Sequence, residues 1–396
     1  MSIIKDEKDL SVIPLQVDQY VRYSRHLLLP EIGAIGQERL YHAKVLLIGV
    51  GGLGSPAATY LAAAGVGTMG LVEFDEVDLS NLQRQTLYTT AQIGLPKIVT
   101  AIKRLKSINP HITIVQHDEP LMASNALKIL HDYDYILDAT DNLATRYLIN
   151  DACVLLKKMY VFGSVYNFEG RVSIFGAPNS PCYRCIFPKP GILKNTLGGL
   201  DLGVLGVVPG VIGTIQATEV IKLVCNIGQP LIGKILLYEA LAMKFREMKV
   251  AKNPNCPICG LNRTITDLSD YEKNYNFMSK GEKAKINKIS AFALNEIFKI
   301  QPNYFLLDCR EDSELSLGSI ENSFRIPINN LRERLNEIDQ YKNKFVIIYC
   351  QSGQMSLIAA KELYEKGFDN VSVLNGGLFA WLAEGFPIKH NNNGRN

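Results

Sequence analysis

Lys44-Val-Leu-Leu-Ile48, then Gly49-Val-Gly51-Gly52-Leu-Gly54, then Ser55 to Ala64, is the stretch that decides the fold. After one lysine the first segment is wholly aliphatic, the composition of a parallel strand covered on both faces. Four glycines interrupt it, and a run of small apolar residues with helical spacing follows. A glycine turn between strand and helix brings backbone N–H groups close to a phosphate at the helix N-terminus. From Val45 to Val72 no residue is charged, so a bilayer span has to be considered. The stretch holds seven glycines and a proline, and its apolar runs are short. Strand, turn and buried helix account for it better than a span of some twenty apolar residues.

Outward from this unit the alternation continues. Met69–Phe74, Ile112–Val115, Tyr135–Leu137 and Tyr160–Phe162 read as strands, and Lys97–Lys106, Asn125–His131 and Thr145–Lys157 as helices. Alternation of this kind predicts an α/β, Rossmann-like domain with a mostly parallel sheet covered on both faces. A strand at Arg171–Phe175 leads into an irregular, proline-rich stretch through Pro190. A helix at Val211–Cys225 follows Pro209-Gly210, and a strand spans Lys234–Tyr238. Residues 270–288 are rich in Lys, Glu and Asn, the composition of an exposed linker. A second, smaller α/β pattern then begins, with a helix at Ala291–Phe298 and strands at Tyr304–Leu307, Phe345–Tyr349 and Val371–Leu374. The expected organisation is an N-terminal extension (1–18), a nucleotide-binding domain (19–265), a linker (266–288), a small α/β domain (289–388) and a disordered tail (389–396).

Bulk composition narrows the function classes. Hydrophobic residues make up 47% of the 396 residues and charged residues 20%, which excludes a disordered chain. A net charge of +3 gives no reason to expect nucleic acid or an anionic membrane as a partner. Eight cysteines in a chain this long do not make a disulfide scaffold. The first residues lack the apolar core of a signal peptide. A soluble, cytoplasmic protein is expected.

Four of the cysteines form two matched pairs, Cys182-x-x-Cys185 and Cys256-x-x-Cys259. Two such turns can complete a tetrahedral Cys₄ zinc site, closed to substrate and therefore structural. Two disulfides or four unrelated core cysteines are the alternatives, and the matched spacing favours zinc.

The glycine loop alone fits an NAD-dependent oxidoreductase as well as anything else. Glu73 ends the next strand, where an acid can accept hydrogen bonds from ribose hydroxyls. Beyond it, Asn81, Arg84 and Gln85 follow in Asp78-Leu-Ser-Asn81-Leu-Gln83-Arg84-Gln85, and Gly94-Leu-Pro96-Lys97 puts a lysine at a helix start. Leu137-Asp138-Ala-Thr140-Asp141-Asn142 ends a later strand with two carboxylates. Adenylyl transfer needs such a set: cations offset charge on the α-phosphate and departing pyrophosphate, and a carboxylate holds Mg²⁺.

Together with Arg22-Tyr-Ser-Arg25, Pro181-Cys-Tyr-Arg-Cys185 and Asn255-Cys-Pro-Ile-Cys259, these motifs resemble the family that activates ubiquitin-like sulfur carriers. Molybdopterin-synthase adenylyltransferase, its thiamine-pathway equivalent and, more distantly, ubiquitin-activating enzymes belong to that family. The resemblance runs from about Tyr20 to Gly260. It implies that ATP binds over Gly49, Gly51, Gly52 and Gly54 with Glu73, usually Asp, on the ribose. It further implies that Asn81, Arg84 and Lys97 contact the phosphates and that Asp141 positions Mg²⁺. Arg25 resembles a finger that reaches the ATP of a partner subunit, which implies a homodimer. The implied substrate is the C-terminal Gly-Gly carboxylate of a small sulfur carrier, converted to an acyl-adenylate with release of pyrophosphate.

Close relatives carry a further cysteine in a crossover loop, whereas Asn195 to Leu205 holds none, the position falling near Gly199. No thioester on this loop is expected, and Cys225, on an apolar helix, reads as core. A sulfur centre is expected in the small domain instead. Cys350-Gln-Ser-Gly353-Gln-Met355-Ser356 follows a strand and opens a helix, where backbone N–H groups lower a thiol's pKa. With Leu307-Asp308-Cys309-Arg310-Glu311 this loop resembles the rhodanese, or sulfurtransferase, family over roughly Ile289 to Pro387. The resemblance implies a persulfide on Cys350, while Cys309 reads as core filling. Rhodanese loops commonly place Arg where this chain has Met355, so a degenerate docking module is the alternative. The retained thiol and glycine-containing loop favour an active domain. The expected function is therefore ATP-dependent adenylation of a sulfur carrier, followed by sulfur transfer to a thiocarboxylate. A cysteine desulfurase is a candidate donor, and molybdopterin, thiamine or tRNA thiolation is the candidate pathway.

Overall fold

The computed structural model describes residues 15–188, 203–269, 271, 286–300 and 303–389. The crossover loop around Gly199, most of the expected linker and residues 390–396 of the expected tail lie outside the described residues, whereas Lys389, assigned to that tail, pairs with Ser319. The described residues form two compact units, the first up to Tyr271 and the second from residue 286.

In the first unit β1 (Lys44–Ile48), β2 (Thr68–Val72), β3 (Thr113–His117), β4 (Tyr135–Asp138) and β5 (Tyr160–Tyr166) form parallel neighbours. The sheet continues antiparallel through β6 (Glu169–Phe175), β7 (Lys234–Glu239) and β8 (Lys244–Lys249). Strand order is β3-β2-β1-β4-β5-β6-β7-β8. The chain leaves β1 toward β2 on one side and returns as β4 on the other. A crevice therefore opens at the carboxyl ends of these strands, where open α/β sheets bind ligands.

Alternation within β1 builds both cores. Val45 and Leu47 pack with the helices Gly54–Ala64 and Val207–Cys225. Leu46 and Ile48 pack with Ala123–His131 and Leu143–Leu155 on the opposite face. Each strand of this kind loses access to water on both faces, which is why it reads as continuously aliphatic. Val207–Cys225 is long and apolar enough to cross a membrane by length and composition. Here its Ile212, Ala217 and Val220 are buried against the sheet and the glycine-loop helix.

Three features of the first unit depart from the sequence-based expectation. The helix expected from Val211 begins at Val207, because Pro209 sits in the first turn, where no helical N–H partner is needed. β8 was not expected: all six of its residues are exposed, so its sequence carries no core-facing alternation. The first unit does not end at 265, since Leu268 and Tyr271 are buried in its core.

The second unit is a five-stranded parallel sheet of β9 (Asn287–Ile289), β10 (Tyr304–Asp308), β11 (Phe324–Arg325), β12 (Phe345–Tyr349) and β13 (Val371–Leu374), ordered β11-β10-β12-β13-β9. β9 starts inside the stretch assigned to the linker. Ala291–Ile300 and Gly377–Ala383 cover one face through Leu294, Leu378 and Trp381. Leu331–Arg334 and Gln354–Glu365 cover the other through Leu331, Ala360 and Leu363.

Candidate functional site

The glycine turn lies at the crevice between β1 and β4. Gly49 has φ of +89°, and a Cβ there would lie 2.9 Å from the Ala139 carbonyl oxygen. The turn thus packs against the segment that leads from β4 to Asp141. A Cβ on Gly51 would come within 3.3 Å of Gln85 Nε2, and one on Gly52 within 3.5 Å of Arg84 Cγ. The structure therefore brings Arg84 and Gln85 up to the loop. Gln85 Nε2 donates to Asn81 Oδ1 at 2.9 Å, which attaches Asn81 to the same group. Arg84 is held by a hydrogen bond from Nη1 to the Ser80 carbonyl at 3.0 Å.

Glu73 stands at the end of β2 and is nearly buried. Its Oε2 accepts from the Val50 amide at 3.1 Å, and its Oε1 from the Phe74 and Asp75 amides at 2.9 and 3.0 Å. Burial raises its pKa, and the cation of Lys97 and the backbone amides oppose that rise. Lys97 opens the helix Lys97–Ile108, with only 4% of its surface exposed, and its Nζ lies 3.7 Å from Asp75 Oδ2. Tyr88, which sequence reasoning missed, donates its hydroxyl to the Val50 carbonyl at 2.9 Å. Its signal was weak, an aromatic between a leucine and two threonines a few positions after Gln85.

At the end of β4, Asp138 is fully buried. Its Oδ1 accepts from the Thr140 amide and hydroxyl at 3.0 and 2.6 Å, while its Oδ2 has no partner among the described residues. Burial raises the Asp138 pKa against the opposing charge of Arg146. Arg146 donates to the Thr140 carbonyl at 2.8 Å and was not singled out in the sequence, where it is one more helix residue. Asn142 caps the helix Leu143–Leu155 by accepting from the Thr145 amide at 2.8 Å, leaving Asp141 exposed at the crevice. Arg25, on the helix Ser24–Leu27, is also exposed. Within one chain neither forms a hydrogen bond or ion pair with the loop among the described residues.

The glycine cradle, which Cβ atoms would fill, fits a nucleotide phosphate chain. Asp141 is the exposed carboxylate at this end of β4, and a carboxylate oxygen suits a hard divalent cation.

The four cysteines converge although the pairs are far apart in the chain. Sγ–Sγ separations are 3.9 Å for Cys182–Cys185, 3.6 Å for Cys182–Cys256 and 3.4 Å for Cys185–Cys259. All four sulfurs lie within 4.8 Å of one another, and all four are free thiols. Zn–S bonds of about 2.3 Å in a tetrahedron put sulfurs about 3.8 Å apart, so the cluster fits zinc and not disulfides. Its footing is a buried ion pair: Arg184 Nε and Nη2 each lie 2.7 Å from an oxygen of Asp151. Tyr271 and Asn150 also donate to that carboxylate, both at 2.8 Å. Such a pair is retained when its remaining lone pairs are satisfied, as here. It fixes the first cysteine turn to the helix Leu143–Leu155.

In the second unit Cys350 follows β12 and is 1% exposed. Its sulfur accepts from the Gly353 amide at 3.1 Å. The thiol's pKa is drawn down to about 6, first by a hydrogen bond from Cys309 and then by the Ser356, Ser352 and Gly353 amides, against its burial. The loop is closed from the other side by Gly376-Gly377, because a Cβ on Gly377 would lie 2.4 Å from the Cys350 carbonyl oxygen. The Leu378 and Phe379 amides donate to the Cys350 and Gln351 carbonyls at 2.9 and 3.1 Å. Arg310, fully buried and paired with Asp308 at 2.7 Å, reaches Gln351 Oε1 at 3.3 Å. Met355 is buried in the apolar core rather than supplying a polar group to the loop.

The chain belongs to the ThiF family, whose profile matches residues 23–258, and it carries a rhodanese-like domain over residues 293–384. An adenylyltransferase and sulfurtransferase of maize (Zea mays), MOCS3-2, is 40% identical over 394 residues, spanning 94% of this chain and 82% of that protein. A sulfur carrier protein adenylyltransferase of Thermus thermophilus is 48% identical over 256 residues, which is 63% of this chain and 94% of that protein. Among solved structures, Escherichia coli MccB with ATP shares the fold of the first unit, with a TM-score of 0.54 at 22% identity over 63% of this chain and 75% of that one. The expected adenylating and rhodanese-like architecture is the one found.

Proposed function

We propose that this chain adenylates the C-terminal glycine of a ubiquitin-like sulfur carrier with ATP, and that its rhodanese-like domain delivers the sulfur that makes a thiocarboxylate. The observation that carries the first step is the gathering of the glycine turn, Asn81, Arg84, Glu73 and Lys97 at one crevice. The relatives' activities, adenylyl and sulfur transfer, support both steps.

Gly49, Gly51, Gly52 and Gly54 admit the phosphates, and Glu73 serves the ribose edge. Arg84 and Lys97 offset negative charge as pyrophosphate departs, with Asn81 positioning it. Asp141 would hold Mg²⁺, which supplies further neutralisation of the phosphates. Arg25 is exposed and remote from this group's contacts, which suits service to the nucleotide of a partner subunit in a homodimer. Cys182, Cys185, Cys256 and Cys259 hold a structural zinc. Cys350 carries the persulfide, received from a cysteine desulfurase, in the cytoplasm. The carrier belongs to molybdopterin, thiamine or tRNA thiolation chemistry. The adenylating domain takes in Leu268 and Tyr271, and the rhodanese-like domain starts at β9.

ATP–pyrophosphate exchange with Gly-Gly-ended carriers from the same genome tests the first step, and no exchange with any of them would overturn it. A second reading, in which the small domain only docks the carrier, is favoured by the burial of Met355 where a cation would serve the loop. Thiocarboxylate formation that survives Cys350→Ala would establish that second reading.

A further inference from the structure

We propose that Cys309 is the resolving thiol of the sulfurtransferase centre: it attacks Cys350 Sγ and frees the sulfur group that Cys350 carries. The inference rests on the reading of Cys350 as the sulfur carrier.

Elimination and register both lead to this pair. Of the eight cysteines, four form the metal cluster. Cys153 is buried in the first unit's core, and Cys225 lies there too, with its thiol on the Gly36 carbonyl at 3.5 Å. Cys309 and Cys350 remain. β10 and β12 pair in parallel with Asp308 opposite Tyr349, so the next positions out are Cys309 and Cys350. The Cys309 amide continues that ladder, donating to the Tyr349 carbonyl at 3.0 Å. Neighbouring strands run about 4.8 Å apart, within the roughly 4.4–6.8 Å between Cα atoms that a disulfide spans. Both side chains enter the same apolar cluster, so they leave their strands on one face, and the Cys309 thiol donates to the carbonyl of Tyr349, the residue before Cys350, at 3.3 Å. Each residue is 1% exposed. A neighbouring thiol held in place has a far higher effective concentration there than any thiol in solution.

The step balances as follows. The Cys309 sulfur bonds to Cys350 Sγ, and the bond from Cys350 Sγ to the outer sulfur breaks. The outer sulfur takes that electron pair and the Cys309 proton. It departs as the thiocarboxylic acid when the carrier's glycine is attached to it and, more slowly because sulfide is the poorer leaving group, as hydrogen sulfide when Cys350 bears a bare persulfide. Two cysteines are oxidised to one disulfide while the outer sulfur is reduced by two electrons. A dithiol reductant of the thioredoxin class then returns both thiols by exchange.

The test uses the whole chain loaded with sodium tetrasulfide or thiosulfate, freed of excess donor and held without reductant. Wild type is expected to release about one sulfide per loaded chain, and non-reducing peptide mapping to find Cys309 joined to Cys350. C309S is expected to keep Cys350 one sulfur heavier, with release at least tenfold slower until dithiothreitol is added. Wild type that retains its sulfur as C309S does, or releases it without the cross-link, overturns the proposal alone. If neither form takes up sulfur at Cys350, the carrier reading fails and the proposal with it. The wild-type cross-link needs no substitution, so a folding defect in C309S cannot mask the answer.

Discussion

The Glu73 carboxylate accepts a hydrogen bond from the Val50 amide at 3.1 Å, tying the end of β2 to the glycine turn that follows β1. With the Phe74 and Asp75 amides on its other oxygen, the acid fixes the loop's shape as well as facing the crevice. Glu73→Ala would remove the carboxylate that three amides donate to, one of them that of Val50 in the phosphate loop. A loss of about 2–4 kcal/mol in unfolding free energy is expected, together with weaker ATP binding by calorimetry. Unchanged denaturation would show that the contacts carry no stability.

Asp141 separates chemistry from folding. Its side chain is exposed and its neighbour Asn142 supplies the helix cap, so Asp141→Ala should shift stability by no more than about 0.5 kcal/mol. Pyrophosphate exchange should fall on the order of a hundredfold or more, as expected when a charge-stabilising group is lost. Retained exchange would remove Asp141 from the cation site.

Metal content tests the cysteine cluster. Mass spectrometry of the intact chain under non-denaturing conditions should find one zinc, and Cys256→Ser should lose it. Melting temperature should fall in the variant and in wild type treated with a strong chelator, because metal binding to a closed site contributes to folding. A metal-free wild type with unaltered melting would refute a structural zinc.

Cys350 should react as an anion at unusually low pH. Its thiol pKa near 6 means that the thiolate predominates above pH 6 and is protonated below it, whereas an ordinary thiol needs about pH 8.5. Alkylation by iodoacetamide, followed at the Cys350 peptide, should therefore be half-maximal near pH 6. Cys309→Ala should move the midpoint upward, since the Cys309 contact is the largest influence lowering it. A wild-type midpoint at 8.5 or above would mean that the loop does not stabilise the anion.

The sequence by itself determined what local pattern can encode. Continuous aliphatic runs marked the buried parallel strands, the glycines marked the turn after β1, and the two matched Cys-x-x-Cys turns marked one tetrahedral site. It did not reveal β8, whose residues are all exposed, or the packing of Leu268 and Tyr271, which lie in a stretch of linker-like composition. Tertiary structure alone decided relationships between segments distant in the chain. It set the Glu73 carboxylate on the Val50 amide, buried Asp138 with one oxygen unpartnered, and placed Tyr271 on Asp151. Cys309 shows the difference most clearly. Read along the chain it is a small apolar residue at a strand end. Only the register of β10 against β12 sets it beside Cys350, because strand pairing joins residues by hydrogen bonds across the sheet and not by their spacing in sequence.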